Sequence, residues 1–165
     1  MISLSPYKRN ERGLMSIAIA YASRHHGNTK KVVEALAAAH DLTTIDIDAT
    51  AQIDLDRFDC VGFAGGVAYG RIYEDVRKLA ERTFQPGKKV FFIYTCGKNS
   101  RNFAASLEAL AAKRGCEVFG TFGCEAWDSF GPLKLAGGIN KDRPNDQDLR
   151  QAVAFLEQHV LTKAQ

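Results

Sequence analysis

A chain of 165 residues, 45% hydrophobic and 25% charged, has room for one domain with a full-sized core. Its formal charge of +3 sits mostly in residues 1–14, where Lys8, Arg9 and Arg12 outnumber Glu11; residues 15–165 carry only +1, so no basic face for nucleic acid is implied. No apolar run approaches the roughly 18 residues of a membrane span, no signal-peptide pattern opens the chain, and Cys60, Cys96, Cys116 and Cys124 form no CxxC pair, which argues for a soluble cytoplasmic protein with free thiols and against a structural zinc site.

Residues 1–14 show no apolar periodicity, and Met15 directly precedes the first strand-like run. A loose tail, or a natural start at Met15, is expected there, followed by a single domain over 15–162. The run "SIAIAY" (16–21) is apolar and β-compatible. Val32, Val33, Leu36 and Ala37 then recur at helical spacing over 29–39, behind a Gly27-Asn28-Thr29 turn. "LTTIDI" (42–47) and "CVGFAG" (60–65) read as the second and third strands. Ile72, Val76, Leu79 and Ala80 line one helix face, which Pro86-Gly87 closes. "KVFFIYT" (89–95) is the strongest strand signal. Phe103, Leu107, Leu110 and Ala111 form a third helical stripe ending near Gly115, and "CEVFGTF" (116–122) is the fifth strand. Residues 123–144, with four glycines and two prolines, read as an ordered loop. A last helix follows from about Asn145, with Leu149, Val153, Leu156 and Val160 inward.

Five strands alternating with helices make an α/β fold with a parallel sheet. Ligands of such sheets sit beyond the carboxyl ends of the strands. Three turns there are rich in small or polar residues: "SRHHGNT", "GGVAYGR" and "TCGKNSRN". The first suits a phosphate monoester. Backbone N–H groups at a helix start point at the anion, the helix dipole favours it, and Ser23, Asn28 and Thr29 add donors while Gly27 permits the tight turn. An ordinary capped βα turn is the alternative. No GxxxxGK[ST] or GxGxxG is present, which disfavours an ATP loop or a dinucleotide fingerprint. His25 and His26 have no Cys, Asp or Glu near them in sequence, so they read as loop or anion-contacting residues and not as metal ligands. Ser23 lacks the GxSxG elbow of a hydrolytic nucleophile. In the second turn Tyr69 presents a rigid face beside exposed backbone at Val67-Ala68, which suits a flat heteroaromatic ring or, equally, a plain Gly-rich turn. In the third, Thr95, Cys96 and Gly97 are compact enough for a ring to approach the backbone, with Cys96 either redox-active or a small buried filler.

Taken in order, "YxS…GNT", "FDCVGFAGGVAYG" and "VFFIYTCG" resemble the flavodoxin family of FMN-binding proteins. The segment "GCEAWDSFGPLKLAGGINKDRPNDQDL" (123–149) is similar to a branch of short bacterial flavodoxin-like proteins, and the likeness spans nearly all of 15–162. The resemblance implies a three-layer sandwich with a five-stranded parallel sheet in the order 2-1-3-4-5. It also implies FMN as cofactor. Phosphate binding carries over to Ser23, Gly27, Asn28 and Thr29, with Arg24 and His25 beside them. Ring binding carries over to Gly66, Val67, Ala68, Tyr69 and Gly70, and to Thr95, Cys96 and Gly97.

The chain departs from the family in three ways. "SRHHGNT" is one residue longer than the usual Ser-x-Thr-Gly-Asn-Thr and puts histidine at the Thr position. Cationic side chains stand in this loop. The charge of +1 contrasts with the strongly acidic electron carriers of the family. The third loop lacks the tyrosine that often covers the outer flavin face, which leaves Tyr69 or Trp127 for that task. The expected function is electron transfer through bound FMN to or from a redox protein or small-molecule donor or acceptor, with no catalytic acid or base, no metal, no nucleic acid and no membrane. The alternatives are an NAD(P)H-dependent flavin or quinone reductase, with 123–144 shaping the nicotinamide pocket, and a cofactor-free binding module.

Overall fold

The computed structural model describes residues 14–164. The expected tail over 1–14 lies, except for Leu14, outside the described residues. Strand β1 (Ile17–Ala22) is buried along its whole length, as a strand covered on both faces must be. It is followed by α1 (Asn28–Ala39), β2 (Thr43–Asp46), β3 (Cys60–Ala68), β4 (Arg71–Ile72), α2 (Glu74–Thr83), β5 (Lys89–Cys96), α3 (Ala105–Lys113), β6 (Glu117–Glu125) and α4 (Asp146–Phe155). Five of the strands are parallel neighbours in the order β2-β1-β3-β5-β6, the doubly wound arrangement expected when only parallel strands are counted.

The sixth strand was not anticipated. β3 does not stop at Gly65 but runs to Ala68, where it turns back through Tyr69 and Gly70 to pair antiparallel with Arg71 and Ile72. Both turn residues have positive φ, 51° and 77°, as a two-residue hairpin of the right twist requires. "AGGVAYG" looks like a loop because its residues are small. Their smallness instead allows a strand to run between closely packed neighbours: a Cβ on Gly65 would meet Ile72 and Val76 at 3.1–3.2 Å. β6 likewise extends to Glu125. Its register against β5 slips between Val90 and Phe92, and Gly120 at φ 131° takes up the extra residue.

Alternation along the strands divides the core into two layers. Ala18, Val61, Phe63, Phe92 and Tyr94 face α2 and α3, where Val76, Ala80, Leu107 and Ala111 meet them. Ile17, Ile19, Phe91 and Ile93 face α1 and α4, against Val32, Val33, Leu36, Phe155 and Leu156. Phe91 lies across Gly62, where a Cβ would collide with its ring. All four cysteines are free and buried. No helix among the described residues is long and apolar enough to cross a membrane.

The start of α4 at Asn145 is set by a capping box: Asn145 Oδ1 accepts from the N–H groups of Gln147 and Asp148, and Asp148 Oδ2 accepts from Asn145 N–H. Asp148 is only 2% exposed. Arg143 meets it with Nε at 3.0 Å and a terminal nitrogen at 2.5 Å, and reaches Glu125 with the other terminal nitrogen at 2.7 Å. The Arg143 hydrogen bonds hold the Asp148 carboxyl below its ordinary value against the opposing effect of burial. A lowered carboxylate pKa contributes stability that is present above the unfolded value and lost as pH falls through the folded one. Asp148→Ala is therefore expected to cost about 3 kcal/mol in urea unfolding at pH 7, because it strands a partly buried guanidinium and opens the cap. The gap to the wild type should close as pH falls below about 4.

Candidate functional site

A cleft of about 490 Å³ opens where β1, β3 and β5 end, a size suited to a small-molecule ligand. Its walls include every residue singled out above except His26 and Gly27: Ser23, Arg24, His25, Asn28 and Thr29; Gly66 through Gly70; Thr95, Cys96 and Gly97. Tyr73, Lys98, Phe103 and the run Ala126–Asp128 with Phe130 complete it. A second hollow of about 520 Å³ lies beside α2, rimmed by Asp54, Asp56, Asp75 and Arg82, and has no aromatic wall.

The first turn is built around two left-handed residues. Gly27, at φ 67°, caps α1, and nothing lies within 4 Å of where its Cβ would stand, so glycine serves the backbone conformation here and not the space. His26 also stands in the left-handed region, at φ 54°. Ser23 Oγ accepts the Lys30 N–H at 3.1 Å, in the first turn of α1, and that turn carries no acidic residue to oppose an anion. Thr29 is 2% exposed, and its hydroxyl meets that of Thr95 at 2.9 Å. One of these hydroxyls donates to the other, so the pair keeps one O–H for a further acceptor. Asn28 Nδ2 donates to the Trp127 carbonyl at 2.8 Å, while its Oδ1 is buried without a partner. An orphaned acceptor on a cleft wall is the place for a ligand hydroxyl.

Arg24 stands on the wall, but its guanidinium is occupied. It grips Asp48 through Nε at 2.9 Å and a terminal nitrogen at 2.6 Å, and Asp75 at 2.6 Å. It also lies 5.4 Å from the Tyr73 ring centre. Those carboxylates raise its pKa further, and the same bonds hold Asp48 below its usual value. The clasp joins the first turn to the segment after β2 and to the start of α2.

Both histidines turn onto the segment after β6. The His26 ring stacks on Trp127 with centroids 3.6 Å apart and planes at 8°, and its Nε2 shares a hydrogen bond of 2.7 Å with Ser129 Oγ. Loss of hydration, then the neighbouring His25, keeps His26 below the ordinary histidine value, so the stack joins neutral rings near neutral pH. His25 Nε2 accepts the Ser129 N–H at 3.2 Å. One face of Trp127 is therefore covered by His26. The sequence reading placed these histidines beside an anion and missed this latch; the signal for it was the aromatic-and-serine segment "WDS".

The walls built from the second and third turns are tighter than compact residues suggested. Bare Cα atoms at Gly66 and Gly97 are used by the protein itself: a Cβ at Gly66 would stand 2.6 Å from the Tyr73 hydroxyl, and one at Gly97 would collide with Asp128. Burial raises the Tyr73 pKa and keeps its hydroxyl neutral. Cys96 is 6% exposed and its thiol is pushed up to about 12 by burial, with Sγ 3.6 Å from the Cys124 carbonyl; it is a protonated filler and not a nucleophile. Tyr69 is 89% exposed, held edge-on to Phe130 with centroids 6.0 Å apart. No group of three or more metal-ligating side chains exists among the described residues.

The family model for the flavodoxin domain matches residues 18–119. An uncharacterised protein of Methanocaldococcus jannaschii is 29% identical over 145 residues, covering 87% of this chain and 97% of that protein. Among solved structures, a short-chain flavodoxin associated with a non-canonical PDU bacterial microcompartment superposes with a TM-score of 0.66 at 13% identity, over 92% of this chain and 100% of the other. A Fusobacterium nucleatum flavodoxin variant bound to flavin mononucleotide superposes with a TM-score of 0.65, also at 13% identity, over 92% and 98% of the two chains. The doubly wound sheet, the cleft at its carboxyl edge and the match over 18–119 together make this chain a member of the flavodoxin family.

Proposed function

We propose that the cleft holds FMN and that the chain transfers electrons through it. The observation that supports this reading is the convergence in one cleft of an α1 start free of carboxylates, an orphaned acceptor on Asn28, and aromatic side chains beside compact strand ends. A phosphate dianion would be held by the backbone of the first turn and the remaining O–H of the Thr29–Thr95 pair. Asn28 Oδ1 would accept from a polyol hydroxyl of the linker. Val67 to Gly70, Thr95 to Gly97, Trp127 and Tyr69 would border the ring. Bound FMN supplies the redox chemistry, and the protein orients it and sets the polarity around its edge. Electron passage at that edge needs no general acid or base, and the neutral Cys96 thiol stands apart from the chemistry.

A second reading, an NAD(P)H-dependent flavin or quinone reductase, draws support from the open mouth beside Tyr69 and Phe130 and from the charge of only +1 on residues 15–165. The two part on one observation. NADPH or NADH added anaerobically to FMN-loaded protein should leave the flavin yellow if the chain is a carrier, and bleach it within seconds if it is a reductase.

FMN has about 31 heavy atoms, and at roughly −0.3 kcal/mol per atom its binding reaches about −9 kcal/mol, a sub-micromolar Kd. Calorimetry should show such binding, with riboflavin clearly weaker for want of the phosphate. No binding at tens of micromolar FMN would refute the central reading. Thr29→Ala should weaken FMN by about tenfold or more, since a hydrogen bond to a charged group contributes about 1.5–3 kcal/mol, and should barely change riboflavin. Equal loss for both ligands would mean that the Thr29–Thr95 pair shapes the fold and does not meet the phosphate.

A further inference from the structure

The rim of the cleft is uneven in charge. On the side of Ser23 and Arg24 the cation is outweighed, because Arg24 is clasped by both Asp48 and Asp75, one positive charge against two negative. On the opposite side cations stand exposed. Arg71 follows directly on the Tyr69–Gly70 turn, Arg101 donates to the Gly70 carbonyl at 3.3 Å, and Lys98 sits on the cleft wall. Lys134 lies on the short 3₁₀ helix Gly131–Ala136. Among the described residues, Arg71, Lys98, Arg101 and Lys134 form no ion pair. Of the carboxylates nearby, Glu125 is paired with Arg143, while Asp128 and Glu108 accept from neutral donors and keep their charge, two against the four unpaired cations.

Apolar surface is interleaved with these cations. Tyr69 is 89% exposed and Phe130, in edge contact with it, 64%. Leu135, at 95%, stands on the 3₁₀ helix, which belongs to an excursion closed at its base by the pairing of Asp128 with Ile139. Leu135 is not part of the cleft wall, so a ligand filling the cleft would leave it bare. Exposed aromatic and aliphatic side chains among unpaired cations, next to a site that faces solvent, fit a protein surface of opposite charge. A nucleotide would use the cations and leave Leu135 without purpose.

We propose that this rim, from Tyr69–Arg71 across Phe130 to Lys134–Leu135, is a docking face for a small acidic electron-transfer protein. The polarity is the reverse of what a strongly acidic carrier would present, and it assigns a partner charge that the total of +1 on residues 15–165 conceals. The role of the face in electron exchange rests on the flavin reading of the cleft; the docking itself is measurable without it.

The test is a titration of the nitrogen-15-labelled full chain, FMN-loaded and FMN-free, with an oxidised plant-type two-iron ferredoxin, which is acidic, and separately with cytochrome c, which is basic. The ferredoxin should move the backbone signals of residues 69–71, 98–101 and 130–135, and its Kd should weaken roughly tenfold between about 20 mM and about 300 mM salt. Arg71→Glu with Lys134→Glu should weaken it by a further factor of about ten at low salt. Leu135→Ser should weaken it at both salt concentrations alike, because apolar burial is not screened. FMN affinity, read by fluorescence quenching, should be unchanged in these variants. The proposal is overturned if the ferredoxin leaves the rim signals unmoved, if cytochrome c moves them equally, if the charge-reversed variant binds as before, or if NADPH moves the whole rim in place of the ferredoxin. Ferredoxin binding at the rim of a chain that takes up no FMN would remove the flavin reading and leave the docking face standing.

Discussion

The structure depends on one constraint: a parallel sheet covered on both faces admits polar side chains only where its strands end. β1 is buried from end to end, β5 is buried at every position after Lys89, and β3 up to Gly66. Hydroxyls, amides and charges are thereby driven to the carboxyl edge, and the helices starting there bring their unpaired N–H groups to the same place. The cleft follows from that exclusion. Thr29 of α1 and Thr95 of β5, 66 residues apart in sequence, meet there hydroxyl to hydroxyl.

That edge is held by the chain that returns across it after β6. Ala126 N–H donates to the Cys96 carbonyl, Asn28 to the Trp127 carbonyl, and Asn140 to the Gly97 carbonyl. The stack of His26 on Trp127 and the bonds of Ser129 to both histidines close the same seam from the other side. His26, in the left-handed region, carries its imidazole out of the first turn and onto the neighbouring segment. The shape of the first turn and the position of Trp127 are therefore one mechanical unit.

Charge is partitioned across the mouth by the same packing. Arg24 stands in the first turn, yet two aspartates hold its guanidinium, so the field at the start of α1 comes from backbone dipoles more than from a cation. Across the cleft, cations reach solvent beside aromatic side chains. The mouth thus has one side where carboxylates outweigh the cation and one where cations are unpaired, and association responds to the local field more than to the total.

By itself the sequence determined the parallel α/β frame, the three loops at the strand ends and the start of α4. These depend on signals that are local along the chain: apolar runs of strand length, helical spacing of Val and Leu, and an Asn–Asp capping box. It also carried the motif resemblance that links those loops to an anion and a flat ring. What the tertiary structure alone decided is which side chains those loops spend on each other. Arg24 finds Asp48 and Asp75, His26 finds Trp127, Gly97 makes room for Asp128, and β3 continues into a hairpin where small residues suggest a loop. Each of these joins residues distant in sequence across a crossover or a returning segment. Their pairing is set by where the sheet brings its ends together, and no spacing along the chain records that geometry.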